Sequence, residues 1–229
     1  MNIGGLQKVS LIDYPGKICA ILFAQGCNFR CPYCHNPELV DPAQYIECIP
    51  EDEIFPFLEK RRGKLDAVSI TGGEPTIQPD LIEFIERIRE INYLIKIDTN
   101  GSFPDVLEKL IDRKLADYIA MDVKAPQERY RETVRSNVDP DRIRLSIEMI
   151  MNSGIEYEFR TTVVKSLLDK EDLQKIGNEI RDARLYILQR FVPSKTLDER
   201  FLKETTYSDE DFKAMMKMLK DCVRRVVAR

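Results

Sequence analysis

The chain has 229 residues, is 43% hydrophobic, and sets 35 basic against 39 acidic side chains for a formal net charge of −4. That length suits one domain with a sizeable core, and the balance excludes a nucleic-acid binder driven by bulk charge. No leader with a basic start, an apolar run and a small-residue cleavage site opens the chain, and the longest early apolar stretch, residues 18–24, is far too short to span a bilayer. The expectation is a soluble cytoplasmic protein.

Short β-branched runs alternate with amphipathic stretches along the chain. Strands are predicted at Ile18–Phe23, Ala67–Thr71, Ile95–Asp98, Tyr118–Asp122, Glu156–Val164 and Leu185–Gln189. Several are apolar almost throughout, as strands of a covered parallel sheet should be. Between the first two, Ile54, Phe57 and Leu58 have helical spacing, with Pro56 in the first turn or kinking it. Later helical stripes are Leu81, Phe84, Ile85 and Ile88, then Val106, Leu107, Leu110 and Ile111, then Ile143, Ile147, Ile150 and Met151, then Leu173, Ile176 and Ile180. The last stripe runs Phe212, Met215, Met216, Leu219, Val223 and Val226, with Ser208 as N-cap and Asp211 three residues on, so a helix is predicted over about 208–227. Six β–α units in a row imply right-handed crossovers and a parallel sheet, either flat and doubly wound or curved into an incomplete barrel. No linker, repeat or low-complexity segment divides residues 1–229. In both architectures ligands gather at the carboxyl ends of the strands. The polar motifs fall there: residues 25–36 after the first strand, 72–76 after the second, 98–101 after the third and 122–124 after the fourth.

Three of the six cysteines crowd into the run Cys27-Asn28-Phe29-Arg30-Cys31-Pro32-Tyr33-Cys34-His35, while Cys19, Cys48 and Cys222 are scattered. A secreted disulfide scaffold would be shorter and denser in cysteine. Three close thiolates can wrap one metal centre, and on a four-iron cubane they leave one iron without a protein ligand, as a catalytic centre needs. The plainer alternative is a zinc ion on Cys27, Cys31, Cys34 and His35. Against it, adjacent residues such as Cys34 and His35 seldom both turn onto one tetrahedral ion. The C-x3-C-x2-C spacing with an aromatic before the last cysteine resembles the radical S-adenosylmethionine (SAM) superfamily. The resemblance implies a [4Fe–4S] cluster on Cys27, Cys31 and Cys34, SAM chelating the open iron, Tyr33 beside the adenine, His35 close to SAM, and a partial (β/α)6 TIM-type barrel.

Further motifs end the next strands. Thr71-Gly72-Gly73-Glu74-Pro75 combines glycines that let backbone approach a ligand with a carboxylate that can receive an ammonium group. It is similar to the superfamily's GGEP motif, which implies that Gly72, Gly73 and Glu74 hold the methionine amino group of SAM. Asp98-Thr99-Asn100-Gly101 and Met121-Asp122-Val123-Lys124 read alone as a turn and a surface ion pair. Together they resemble pyruvate formate-lyase activating enzyme and its relatives, which implies a monovalent cation on Asp98, Thr99, Met121 and Asp122, with Asn100 near SAM and Lys124 facing its carboxylate or ribose. Arg160 lies in an otherwise apolar strand and must find an anion or snorkel from a sheet edge; the same resemblance places it near SAM. Gln189, ending the last strand, is a further candidate for the adenine.

The segments 4–17, 25–38, 158–164 and 186–191 resemble the anaerobic ribonucleoside-triphosphate reductase activating protein family, and the likeness runs to about Pro193. Lys165-Ser166 departs from the Pro-Gly turn usual there, in the loop after that strand and outside the cluster motif. The resemblance implies that a flavodoxin or ferredoxin reduces the cluster, that SAM is cleaved to a 5′-deoxyadenosyl radical, and that this radical takes a hydrogen from a glycine of a partner glycyl radical enzyme. No second cluster spacing surrounds Cys19, Cys48 or Cys222. The alternatives are a radical SAM enzyme acting on a small molecule (the 7-carboxy-7-deazaguanine synthase type), one modifying another peptide or an RNA, and a non-enzymatic zinc or iron–sulfur interaction module.

Overall fold

The computed structural model describes residues 1–229. In chain order the elements are β1 (Ile3–Ser10), β2 (Cys19–Ala24), α1 (Pro37–Val40), α2 (Glu51–Arg61), β3 (Ala67–Gly72), α3 (Leu81–Glu90), β4 (Leu94–Thr99), α4 (Pro104–Asp112), β5 (Tyr118–Asp122), α5 (Tyr130–Val134), α6 (Pro140–Asn152), β6 (Glu156–Val163), α7 (Lys170–Glu179), β7 (Tyr186–Arg190), α8 (Asp209–Leu219) and β8 (Val226–Ala228). All eight strands join one sheet in the order β1 to β8. Strands β2 to β8 pair in parallel, and β1 runs antiparallel along β2. A doubly wound sheet must reverse its strand order at some point. Here the order never reverses, so right-handed crossovers all place their helices on one face. The other face is left to curl upon itself, giving the partial barrel.

Alternation along the strands divides the side chains between these two faces. Leu22, Ile70, Ile97, Ile119 and Phe159 face outward into the main core under the helices. Helix α3 contributes Leu81, Phe84, Ile85 and Ile88, all buried, each stabilising the fold by about 1.5–3 kcal/mol. Inside the barrel a smaller apolar cluster of Tyr14, Cys19, Ile21, Ala67, Tyr118 and Ala120 fills the lower end. One residue pair further along each strand the interior turns polar. Ser69 lies beside Lys96, Asp98 beside Ala120, Asp122 beside Arg160 and Thr162 beside Gln189. This change from apolar to ionic, running up the barrel, positions the site.

The six predicted parallel strands are all present, within a residue or two at their ends, and two strands join them. Strand β1 escapes the reading because its sequence shows no alternation; Gln7, Lys8 and Val9 in its second half are exposed and its pairing with β2 breaks register twice. Helix α8 starts at Ser208 with a full Ser208–Asp211 capping box, as predicted, but ends at Leu219, not near 227. Val223 and Val226 continue the helical stripe in sequence, yet Arg224 N–H donates to the Ala183 carbonyl and Tyr186 N–H to the Arg225 carbonyl. The open edge of β7 offers a row of unpaired peptide groups, and capturing it outweighs two more helical turns. Pro56 sits in the second turn of α2, which begins at Glu51. The turn after β6 closes across Lys165-Ser166, with the Leu167 and Leu168 amides donating to the Val164 carbonyl.

Candidate active site

A cavity of about 290 Å³ opens at the carboxyl ends of the strands. It brings together Cys27, Cys31, Tyr33, Cys34, His35, Gly72, Gly73, Glu74, Asp98, Thr99, Asn100, Asp122, Lys124, Arg160 and Gln189. Of the site residues predicted from the sequence, Met121 alone lies elsewhere. Thr71 and Thr162 also line it.

The cysteine loop leaves β2 through Gly26, whose φ of +109° suits glycine. Gly73 must also lack a side chain, because a Cβ there would lie 2.0 Å from the Gly26 carbonyl oxygen. That contact lets Glu74 N–H donate to the Gly26 carbonyl at 2.8 Å, stitching the end of β3 to the loop. The Arg30 guanidinium donates to the Cys27 and Phe29 carbonyls at 2.7 and 2.8 Å. From the far side of the barrel, the amides of Leu197 and Asp198 donate to the carbonyls of Cys34 and Pro32. Burial pushes the Cys27 thiol up to about 12 and that of Cys31 to about 11, and raises Cys34 as well. Such thiols keep their protons near neutral pH until a metal displaces them.

His35 stacks on Phe191 with ring centroids 5.6 Å apart, and its Nδ1 lies 2.9 Å from the Lys195 carbonyl oxygen. With the His35 ring engaged in this way, the three thiols on the cavity wall suit a larger centre with one vacant position. The Tyr33 hydroxyl is buried with no protein partner, so it is available to a ligand in the cavity. The donor set therefore fits a cluster with SAM beside it.

Glu74 is 1% exposed. Its Oε1 accepts from Thr76 N–H at 3.0 Å, the Thr76 hydroxyl at 2.5 Å and the Thr99 hydroxyl at 2.8 Å, while Oε2 accepts from Asn100 N–H at 2.6 Å. Burial raises its carboxyl above the usual range, and the four donors oppose that rise. Asn100 in turn donates to the Asn28 side-chain oxygen at 2.9 Å, and Ser102 donates to Asn100 at 2.6 Å. Carboxylate, turn and cysteine loop form one connected bracket.

Beneath them runs an ionic ladder. Lys96 pairs with Asp98 Oδ1; Arg160 donates to Asp98 Oδ2 at 3.0 Å and to Asp122 Oδ1 at 2.7 Å; Lys124 donates to Asp122 Oδ2 at 2.8 Å. Arg160 thus finds its anions inside the barrel and not at a sheet edge. Burial alone would raise both aspartates, but Arg160 with Lys96, and Arg160 with Lys124, hold Asp98 and Asp122 below the usual carboxylate range. Met121 corrects the predicted cation set. It precedes Asp122 by one residue and so points to the opposite face, where it packs under Gly101; a Cβ on Gly101 would meet its sulfur at 2.8 Å. Lys96, Asn28 and Ser102 escaped the sequence reading. Lys96 carried the same signal as Arg160, a lone cation between Ile95 and Ile97 in an apolar strand.

Residues 21–183 match the Radical SAM superfamily. The chain belongs to this superfamily. A Methanocaldococcus jannaschii protein, provisionally named a glycyl-radical enzyme activating enzyme, is 36% identical over 99% of this chain and 95% of its own length. The 7-carboxy-7-deazaguanine synthase of Methanopyrus kandleri is 37% identical over 49% of this chain and 52% of its own length. Among solved structures, Streptococcus suis SuiB bound to S-adenosylmethionine superposes with a TM-score of 0.66 at 17% identity, covering 91% of this chain and 51% of that one. This last likeness concerns the fold. Membership of the superfamily makes the protein an enzyme of the radical SAM class and implies a [4Fe–4S] cluster and SAM.

Proposed function

We propose that this protein activates a glycyl radical enzyme, with anaerobic ribonucleoside-triphosphate reductase as the partner, a flavodoxin or ferredoxin as electron donor, and the cytoplasm as its compartment. The observation that carries the reading is the cavity wall of Cys27, Cys31 and Cys34, which faces a strand-end ring of Glu74, Asp122, Lys124 and Arg160 suited to a charged, amino-acid-like ligand. The near full-length likeness to a provisionally named activating enzyme supports the substrate class.

The three thiols would hold the cluster, and Tyr33, His35, Gly72, Gly73, Glu74, Asn100, Lys124, Arg160 and Gln189 would surround SAM. When bound, the cluster would supply the one-electron reduction that cleaves SAM, the chemistry by which a glycine Cα hydrogen would be removed. The chain's own task is positioning and shielding. Gly73 leaves backbone room at the rim, and the Asn28–Asn100–Ser102 bonds fix the cysteine loop against β4. Lys124 and Arg160 place positive charge where a ligand carboxylate would lie, and Asp98 and Asp122 keep both side chains in place. The unpartnered Tyr33 hydroxyl offers a hydrogen bond to the ligand.

Protein purified without oxygen should be brown and, once reduced, should convert SAM to 5′-deoxyadenosine. Replacing any one of the three thiols by alanine should abolish this. Mixing with anaerobic ribonucleoside-triphosphate reductase should then give a glycine-centred doublet in electron paramagnetic resonance. The half-length likeness to 7-carboxy-7-deazaguanine synthase favours a second reading, in which a small molecule is the substrate. SAM cleavage with no doublet from any candidate glycyl radical enzyme would favour that reading. A colourless zinc protein with no SAM cleavage would overturn both.

A further inference from the structure

The resemblance implies an alkali ion held by Asp98, Thr99, Met121 and Asp122, and these side chains do not form such a site. Met121 points to the other face of β5 and packs against Gly101. The residue that shares the inner face with Asp122 is Ala120, whose side chain has no donor atom. The Thr99 hydroxyl donates to Glu74. All four carboxylate oxygens are already taken: Asp98 Oδ1 by Lys96, Asp98 Oδ2 by Arg160 and the Thr71 hydroxyl, Asp122 Oδ1 by Arg160 and Asp122 Oδ2 by Lys124.

Lys96 is the unusual member of this group. It is 2% exposed, and a buried ammonium needs an anion. Its register neighbours are Ser69 and Tyr118, neither of them charged. Of the other buried carboxylates, Glu158 is engaged by the Tyr118 hydroxyl and by Arg229, and Glu74 by Thr76, Thr99 and Asn100. Asp98, two residues along on the same face, is the anion that Lys96 reaches. Three cations against two carboxylates then leave this ladder one net positive charge, with Glu74 the remaining carboxylate on the cavity. An alkali ion sharing the two aspartates with Arg160 and Lys124 would leave the same charge.

We propose that Lys96 is a positioning residue that builds into the chain the charge otherwise supplied by a bound alkali ion, so that the cavity works without one. The ammonium anchors Asp98, Asp98 and Asp122 orient Arg160, and Arg160 lines the cavity. Only the catalytic arm of the test rests on the reading that the cavity binds SAM.

The binding arm uses apoprotein in choline chloride, titrated with sodium chloride and followed by 23Na line width and by melting temperature. The wild type should show no saturable sodium site and no sodium-dependent melting. Lys96→Met, which keeps the aliphatic length and removes the charge, should acquire both. In the catalytic arm, the reconstituted wild type should cleave SAM at one rate in choline, sodium or potassium buffer. Lys96→Met should fall on the order of tenfold in choline and recover with potassium or sodium, and Lys96→Arg should stay independent of the alkali ion. A saturable sodium site in the wild type would overturn the proposal, as would a potassium-dependent wild-type rate or a Lys96→Met protein as active in choline as its parent. Should Lys96→Met fail to fold, the wild-type and Lys96→Arg arms decide alone. A wild type that binds no sodium and cleaves no SAM would refute the SAM reading and leave the charge assignment standing.

Discussion

Replacing Glu74 by Gln tests whether this carboxylate holds the site together as well as facing its ligand. Glu74 accepts four hydrogen bonds, two of them from the backbone amides of Thr76 and Asn100. A glutamine has one acceptor oxygen. If its oxygen takes the Oε1 position, its NH2 group faces the Asn100 amide; if it flips, the NH2 group faces the Thr76 amide. The threonine hydroxyls can rotate to adapt, but a backbone N–H cannot. One buried amide therefore loses its acceptor in either orientation, at a cost of roughly 2 kcal/mol. For a chain of this length that lowers Tm by about 4–8 °C. The damage should spread along the bracket, because Asn100 ties to Asn28 beside Cys27. Scanning calorimetry of the apoprotein reads the first effect, and iron bound after anaerobic reconstitution reads the second. A variant that melts within about 1 °C of the parent and keeps its full iron would refute the bracket.

Three other outcomes follow from the geometry. Gly73→Ala drives a methyl group into the Gly26 carbonyl, where backbone must move; it should cost about 1–3 kcal/mol and sharply reduce iron retention, whereas Gly154→Ala, strained only by its own φ of +76° in the turn before β6, should lose stability yet retain iron fully. Arg160→Met leaves Asp98 and Asp122 without their shared partner and should destabilise by about 3–5 kcal/mol in urea unfolding, with SAM affinity lost even in the folded fraction. Acid should weaken the fold through the same pair. Their folded pKa values are depressed, so their contribution is complete above the unfolded value of about 3.9 and is lost as pH falls below it. Urea midpoints measured from pH 6 down to pH 3 should therefore drop less steeply for Asp122→Asn than for the wild type, and equal slopes would contradict the ion-pair assignment.

How legible the molecule was depends on how far each feature reaches along the chain. Six parallel strands and the helices between them are written in periods of two and 3.6 residues, which any window of the sequence exposes. The motifs at the strand ends were readable because a parallel β–α fold brings every such end to one rim, so Glu74, Asn100, Lys124 and Arg160 meet in one cavity although 86 residues separate the first from the last. Met121 was misassigned because a motif read as a string ignores strand parity, and one residue along a strand means the opposite face. Lys96 was missed although the argument applied to Arg160, that a lone cation in an apolar strand must find an anion, applies to it equally.

By itself the sequence determined the superfamily chemistry: three thiols with catalytic spacing and local patterns strong enough to form β–α units. Tertiary structure decided what depends on partners distant in the chain. Strand β8 exists because the edge of β7 offers it hydrogen bonds, against the helical stripe of its own residues. The choice of a partial barrel over a flat sheet came from strand order, which no local period encodes. The pairing of Asp98 and Asp122 with Lys96, Arg160 and Lys124 was likewise fixed only when folding enclosed these charges in a space where each had to find its opposite.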